Sequence, residues 1–118
     1  CIGKSLINKN KYDNENIPKI VTNEKDELLY ISRSTVPGSK NKKDYKIYGQ
    51  VNVYSFPKTV LINKMFNKKT KNEEIEDIEI LRFLEHGYKI KVINLKSNNH
   101  AVDIPADIQI VEKILKKI

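Results

Sequence analysis

Asp103 stands at a strand exit two residues before a proline, within Ala101-Val102-Asp103-Ile104-Pro105-Ala106-Asp107. Proline is at home in the first helical turn, where its missing N–H costs nothing, and the positive helix N-terminus favours carboxylates such as Asp103 and Asp107. Asp103 can therefore stay ionised and outward-facing, which suits a divalent cation. The same carboxylate can equally serve as a cap for a helix over residues 105–117, and spacing alone leaves both roles open.

Five further residues carry groups able to grip a small polar ligand. Arg33 offers a planar fork for a carboxylate or phosphate at the end of an expected strand, although many such arginines make surface ion pairs. Gln50 and Tyr54 lie four apart on one face of a strand and present hydrogen-bonding groups suited to sugar hydroxyls; the plainer reading is a cross-strand polar residue and a buried aromatic. Glu76 and Glu79 are three apart on an expected helix, where they either face a ligand or form a solvated acidic face balancing Arg82. His86 and His100 have no second ligand nearby in sequence, so no histidine metal site is expected.

These residues sit in a 118-residue chain of formal net charge +7. That length makes one domain with a modest core and is short for an enzyme enclosing a nucleotide and a second substrate, so residues 1–118 read as a single, incomplete domain. The lysines are scattered among Asn, Asp and Glu rather than gathered with aromatics. The charge thus fits a phosphate-rich small ligand or a solvated surface, and no nucleic-acid partner is expected. One cysteine allows no intrachain disulfide and points to a reducing, cytoplasmic setting. No apolar run approaches the roughly eighteen residues of a membrane span, so no membrane partner is expected.

The elements that must position the chemistry alternate between strand and helix. Ile17–Val21 and Leu28–Ser32 are β-branched and apolar around a polar turn, predicting an antiparallel hairpin. Residues 35–46, with Pro37, Gly38 and several Lys and Asn, predict an exposed loop. Ile47–Phe56 alternates as a strand, Pro57 opens a short helix to about Phe66, and Ile75, Ile78, Leu81 and Leu84 predict one helix over 73–85 that stops at Gly87. A strand within 88–95 and an amphipathic helix over 105–117 follow. The order implies an α/β sheet layered with helices. Its four strands leave an open edge better satisfied by more strands or a second copy.

Four segments in this order resemble a known family. Leu29-Tyr30-Ile31-Ser32-Arg33-Ser34, Val53-Tyr54-Ser55-Phe56, the run from Glu76 to Gly87, and Ala101-Val102-Asp103-Ile104-Pro105 resemble the C-terminal half of CMP-Kdo synthetases, the 3-deoxy-manno-octulosonate cytidylyltransferases. The resemblance covers about residues 17–115. It implies a portion of a nucleotide-diphospho-sugar-transferase-like mixed sheet with flanking helices. It also implies a nucleotidyltransferase that moves CMP from CTP to 3-deoxy-manno-octulosonate (Kdo), releases pyrophosphate, uses Mg2+ and works as a homodimer in lipopolysaccharide precursor synthesis. By this resemblance Asp103 would be one of two metal carboxylates, and Arg33, Gln50, Tyr54 and Glu76 would bind the sugar.

The chain departs from the family in places. Ile104 and Ala106 stand where Thr and Glu are usual, Gln50 stands where many members carry His, and the half bearing the nucleotide loop and the other metal aspartate is not among these residues. The chain alone is therefore expected not to turn over. Two other readings compete: a lipid-anchored bacterial envelope protein acylated at Cys1, and a non-catalytic sugar- or nucleotide-binding module. A related transferase acting on an acylneuraminate or an amino-Kdo also fits.

Overall fold

A computed structural model describes residues 1–41, 44–63, 67–96, 102 and 104–117. Five strands, β1 (Ile2–Leu6), β2 (Lys19–Thr22), β3 (Leu28–Ser32), β4 (Tyr48–Tyr54) and β5 (Val92–Asn94), form one sheet in the order β3-β2-β4-β1-β5. β1 pairs parallel with β5 and antiparallel with β4, while β2 pairs antiparallel with β3 and β4. The helices are α1 (Lys58–Leu61), α2 (Lys71–Glu76), α3 (Ile80–Glu85) and α4 (Pro105–Leu115). The mixed α/β class and the β2–β3 hairpin agree with the sequence reading.

β1 was not expected, and its composition explains why. Ile2, Lys4 and Leu6 alternate with Gly3 and Ser5, so a lysine occupies the centre of the strand's face. Lys4 is nonetheless buried, because its ammonium reaches Thr22 Oγ1 at 3.3 Å and Asp26 Oδ1 at 3.2 Å. Gly3 lies against β4 so closely that an added Cβ would meet Val51 Cβ at 3.2 Å. The small residue that weakens the strand pattern is thus the one that lets β1 and β4 pair.

The sheet edge also proves less open than four strands would leave it. Leu28 N–H donates to the Ile90 carbonyl at 2.8 Å, and Val92 N–H donates to the Asp26 carbonyl at 2.8 Å. The β2–β3 turn therefore bonds to the far side of the sheet. That turn is built by Asn23, whose Oδ1 accepts from the N–H groups of Lys25 and Glu27, each at 2.9 Å, with Asp26 at φ 54°. Ile2, Ile20, Leu28, Ile31, Ile78, Ile80, Leu81, Ile90 and Val92 form the buried core.

The expected helix over 73–85 is two helices. Asp77 breaks it in the left-handed region (φ 53°, ψ 51°), a conformation that Asp tolerates better than most side chains. The break reorients the apolar stripe: Ile78 and Leu81 enter the core, whereas Ile75 is 71% exposed. In its place α2 buries Glu73, whose carboxylate accepts from Arg82 Nε at 2.7 Å and reaches back to the Thr70 N–H at 3.2 Å. That pairing holds Glu73 below the usual carboxylate range, chiefly through the Arg82 hydrogen bond, and raises Arg82. Gly87 ends α3 at φ 82°, as expected from its position.

The helix after Pro57 is a single turn, Lys58–Leu61; Phe66 lies outside the described residues. At α4, Asp107 accepts the Ile104 N–H at 3.0 Å. The reach-back contact of that N-terminus therefore comes from Asp107, one of the two aspartates read as favouring it. No helix among the described residues is long and apolar enough to cross a membrane.

Candidate functional site

Two groups of the sequence-selected residues come together, at different places. The first lies on β4. Gln50 and Tyr54 share a face, and Gln50 Nε2 donates to the Tyr54 hydroxyl. Cross-strand pairing of Lys4 with Gln50 places Lys4 on the same face, and its ammonium lies 4.8 Å from the Tyr48 ring centroid, a cation–π contact. Tyr54 stacks on Phe56 with centroids 6.0 Å apart and planes at 17°, and Phe56 meets Phe83 of α3 at 4.8 Å. A ladder of three rings thus connects the strand end to the helix.

Burial is the main cause that raises the Tyr54 phenol, and the negative charge of Glu79 adds to it; the Gln50 hydrogen bond acts in the opposite direction. Tyr54 is consequently a neutral phenol at ordinary pH, able to donate and accept but not to act as a phenolate base. Its residue remains 40% exposed. The arrangement offers an amide, a phenol, a neighbouring carboxylate and an aromatic wall, which are the groups that recognise vicinal hydroxyls on a carbohydrate ring.

The second group joins β3 to the break between α2 and α3. Arg33 Nε donates to the Glu76 carbonyl at 2.6 Å, Nη2 to the Asp77 carbonyl at 2.9 Å and Nη1 to the Glu15 carbonyl at 3.0 Å. Glu76 in turn accepts from Ser32 Oγ at 2.6 Å and from the Arg33 N–H at 2.9 Å. Beneath them the fully buried Lys19 ammonium donates to the carbonyls of Asn14 and Arg33, both at 2.6 Å. Burial lowers Lys19, partly offset by Asp13 and Glu15.

The structure therefore brings Gln50 and Tyr54 together and brings Arg33 and Glu76 together, as two separate pairs. The carboxylate that acts on Tyr54 is Glu79, the partner of Glu76 in the three-residue spacing. Lys4 and Lys19 were not singled out by sequence, since among 22 Lys and Arg residues nothing marks the buried ones. Asp103 and His100 lie outside the described residues. Among the described residues, no three His, Cys, Asp or Glu side chains come together as a group able to hold a metal ion.

This mixed sheet flanked by helices matches part of a nucleotide-sugar-transferase-like fold. A solved CMP:2-keto-3-deoxy-manno-octonic acid synthetase, complexed with CTP, superposes with a TM-score of 0.90 at 24% identity over 98% of this chain and 48% of its own. Three curated proteins give the relationship in sequence. The 3-deoxy-manno-octulosonate cytidylyltransferase 2 of Hydrogenovibrio crunogenus is 33% identical over 93% of this chain and 44% of its own length. The 3-deoxy-manno-octulosonate cytidylyltransferase of Chlamydia caviae is 39% identical over 82% and 38%. The 8-amino-3,8-dideoxy-manno-octulosonate cytidylyltransferase of Shewanella sediminis is 32% identical over 97% and 46%. No family model matches. The chain is a relative of the CMP-Kdo synthetases and spans about half the length of the curated relatives it matches.

Proposed function

We propose that this chain is the sugar-binding half of a cytidylyltransferase that moves CMP from CTP to Kdo. The observation that supports it best is the match of nearly the whole chain to proteins named for that reaction. The anomeric hydroxyl of the sugar acid attacks the α-phosphorus of CTP, the bond to the β-phosphate oxygen breaks, and pyrophosphate leaves. Such a displacement depends on alignment and on cations that offset the charge of the leaving group.

In this reading Gln50 and Tyr54 hydrogen-bond sugar hydroxyls, Tyr54 as a neutral phenol and Glu79 as the acceptor beside it. Arg33, Glu76 and Lys19 hold the α2–α3 break in position, so that Glu79, at the start of α3, and Phe83 within it face β4. Mg2+ is the cofactor of the proposal, and this chain would offer Asp103 to it. By the family resemblance the other ligands would be substrate oxygens and a second carboxylate from the part of the relatives that this chain does not span. When bound, the ion neutralises phosphate charge. The enzyme would work as a homodimer in the cytoplasm, where CTP is made.

The test uses a chimera in which residues 1–118 replace the aligned segment of the Hydrogenovibrio crunogenus relative. Gln50→Ala and Tyr54→Phe should raise the sugar KM and leave the CTP KM unchanged. Equal effects on both KM values would remove the sugar-binding assignment.

A further inference from the structure

Glu79 is a carboxylate with no charge to balance it. It heads α3 in helical conformation (φ −63°, ψ −29°), four residues before Phe83, so the two share a face of the helix. Phe83 packs on Phe56 and Phe56 on Tyr54, which turns that face toward β4, and the charge of Glu79 acts on the Tyr54 phenol. The residue is exposed, and among the described residues it makes no ion pair. Arg82, one turn along, gives its guanidinium to Glu73, and Lys4, beside Gln50 on the sheet, gives its ammonium to Asp26. One negative charge therefore stands beside two neutral groups, Gln50 and Tyr54.

We propose that Glu79 selects the charge on the far end of the acceptor: the site takes a sugar acid whose tail is neutral or cationic and rejects one whose tail carries an anion such as a phosphate ester. The inference rests on the functional reading above and adds a discrimination to it. The reacting hydroxyl and the carboxylate of a 2-keto sugar acid are on adjacent carbons, so they go together to the α-phosphorus and the metal. Repulsion by Glu79 keeps that carboxylate away from β4, and the hydroxyl-bearing tail is what remains to lie against Gln50, Tyr54 and Glu79. There a hydroxyl donates to the carboxylate and an ammonium gains an ion pair, whereas a phosphate monoester meets like charge with no cation to offset it. Specificity of this kind comes from the repulsive element: Glu79 costs the right acceptor nothing and leaves the wrong one unpaired.

NMR titration of the 118-residue chain tests this with three acids that differ at one carbon: Kdo, its 8-amino-3,8-dideoxy counterpart and its 8-phosphate ester. Expected are shifts at Gln50 and Tyr54, with a Kd about threefold lower for the amine than for Kdo and at least about tenfold higher for the ester. Glu79→Gln should bring the ester within about threefold of Kdo, while Glu79→Asp, which keeps the charge, should keep the order. Three results overturn the proposal: the ester binds as tightly as Kdo, Glu79→Gln leaves the ratios unchanged, or none of the acids shifts Gln50 and Tyr54. Should Glu79→Gln not fold, salt at about 0.5 M replaces it, since screening must narrow the disadvantage of the ester in the wild type and an unchanged ratio overturns the proposal. Transfer is read separately in the chimera. A folded chimera that moves no CMP to Kdo would remove the functional reading, whereas the binding order on the chain stands or falls by itself.

Discussion

Arg33 and Glu76 hold each other through their backbones: the Arg33 guanidinium donates to the Glu76 carbonyl at 2.6 Å while the Glu76 carboxylate accepts the Arg33 N–H at 2.9 Å. This reciprocal contact fixes the end of β3 against the last turn of α2, and the second arm of the fork takes the Asp77 carbonyl. The left-handed residue between the two helices is therefore held from outside the helix. Lys19 completes the lock from below by donating to the Arg33 carbonyl.

Replacing Arg33 by Lys keeps the charge and loses the fork. Three carbonyls cannot be reached by one ammonium in the same geometry, so Arg33→Lys should cost about 1–3 kcal/mol in urea unfolding, with faster hydrogen exchange at α2 and the α2–α3 break. An unchanged midpoint and exchange pattern would show that the carbonyl contacts do not hold the break.

Glu73, which is buried, and Arg82, which is partly exposed, make an ion pair between α2 and α3. Glu73 is 1% exposed, and Glu73→Gln should destabilise by about 1–3 kcal/mol because the partly exposed Arg82 guanidinium loses the charge of its buried partner. The sign of the pH dependence follows from the lowered Glu73 value. Its contribution is complete above the unfolded carboxyl value, about 4.3, and is lost as pH falls through the lower folded one. Thermal unfolding between pH 7 and 3 should show the wild-type advantage over Glu73→Gln shrinking on the acid side; a constant difference would contradict the assignment.

Tyr54 stays protonated because burial and Glu79 both raise it. Tyr54→Phe in the chimera should raise the sugar KM about tenfold, the equivalent of one hydrogen bond of about 1.4 kcal/mol, with kcat changed less. The wild-type KM should show no titration attributable to Tyr54 between pH 7 and 9. A basic limb in that range that disappears in Tyr54→Phe would mean that the phenol ionises near neutrality.

Leu29 lies on the outer strand of the hairpin and is 55% exposed, whereas its neighbour Ile31 is fully buried. An outer strand with an exposed apolar side chain is a natural seam between copies. For the proposed homodimer, Leu29→Lys should weaken self-association at least about tenfold by sedimentation without changing circular dichroism. An unchanged mass would place the dimer contact elsewhere.

The sequence disclosed the features that depend on short-range pattern. Gly87 as a helix stop, the Asn23 turn and the β2–β3 hairpin follow from local conformational preference, and Gln50 with Tyr54 follows from strand periodicity. What it hid depends on long-range compensation. Lys4 hides β1 because a charge at the strand's centre looks like solvent exposure until Thr22 and Asp26, distant in sequence, arrive beside it. The stripe of Ile75, Ile78, Leu81 and Leu84 reads as one helix, since nothing local to Asp77 announces that Arg33 will seize the carbonyls there. Glu76 and Glu79 could be placed on one face, but which of them acts on Tyr54 depends on that break.

The most direct measurement is pyrophosphate release by the chimera with CTP and Mg2+, run in parallel with Kdo, its 8-amino-3,8-dideoxy counterpart and no sugar. The account predicts release that depends on the eight-carbon acid, with CMP recovered on that sugar and the rate lowered by Gln50→Ala at subsaturating acceptor. A folded chimera that binds CTP and releases no pyrophosphate with either acid would contradict it.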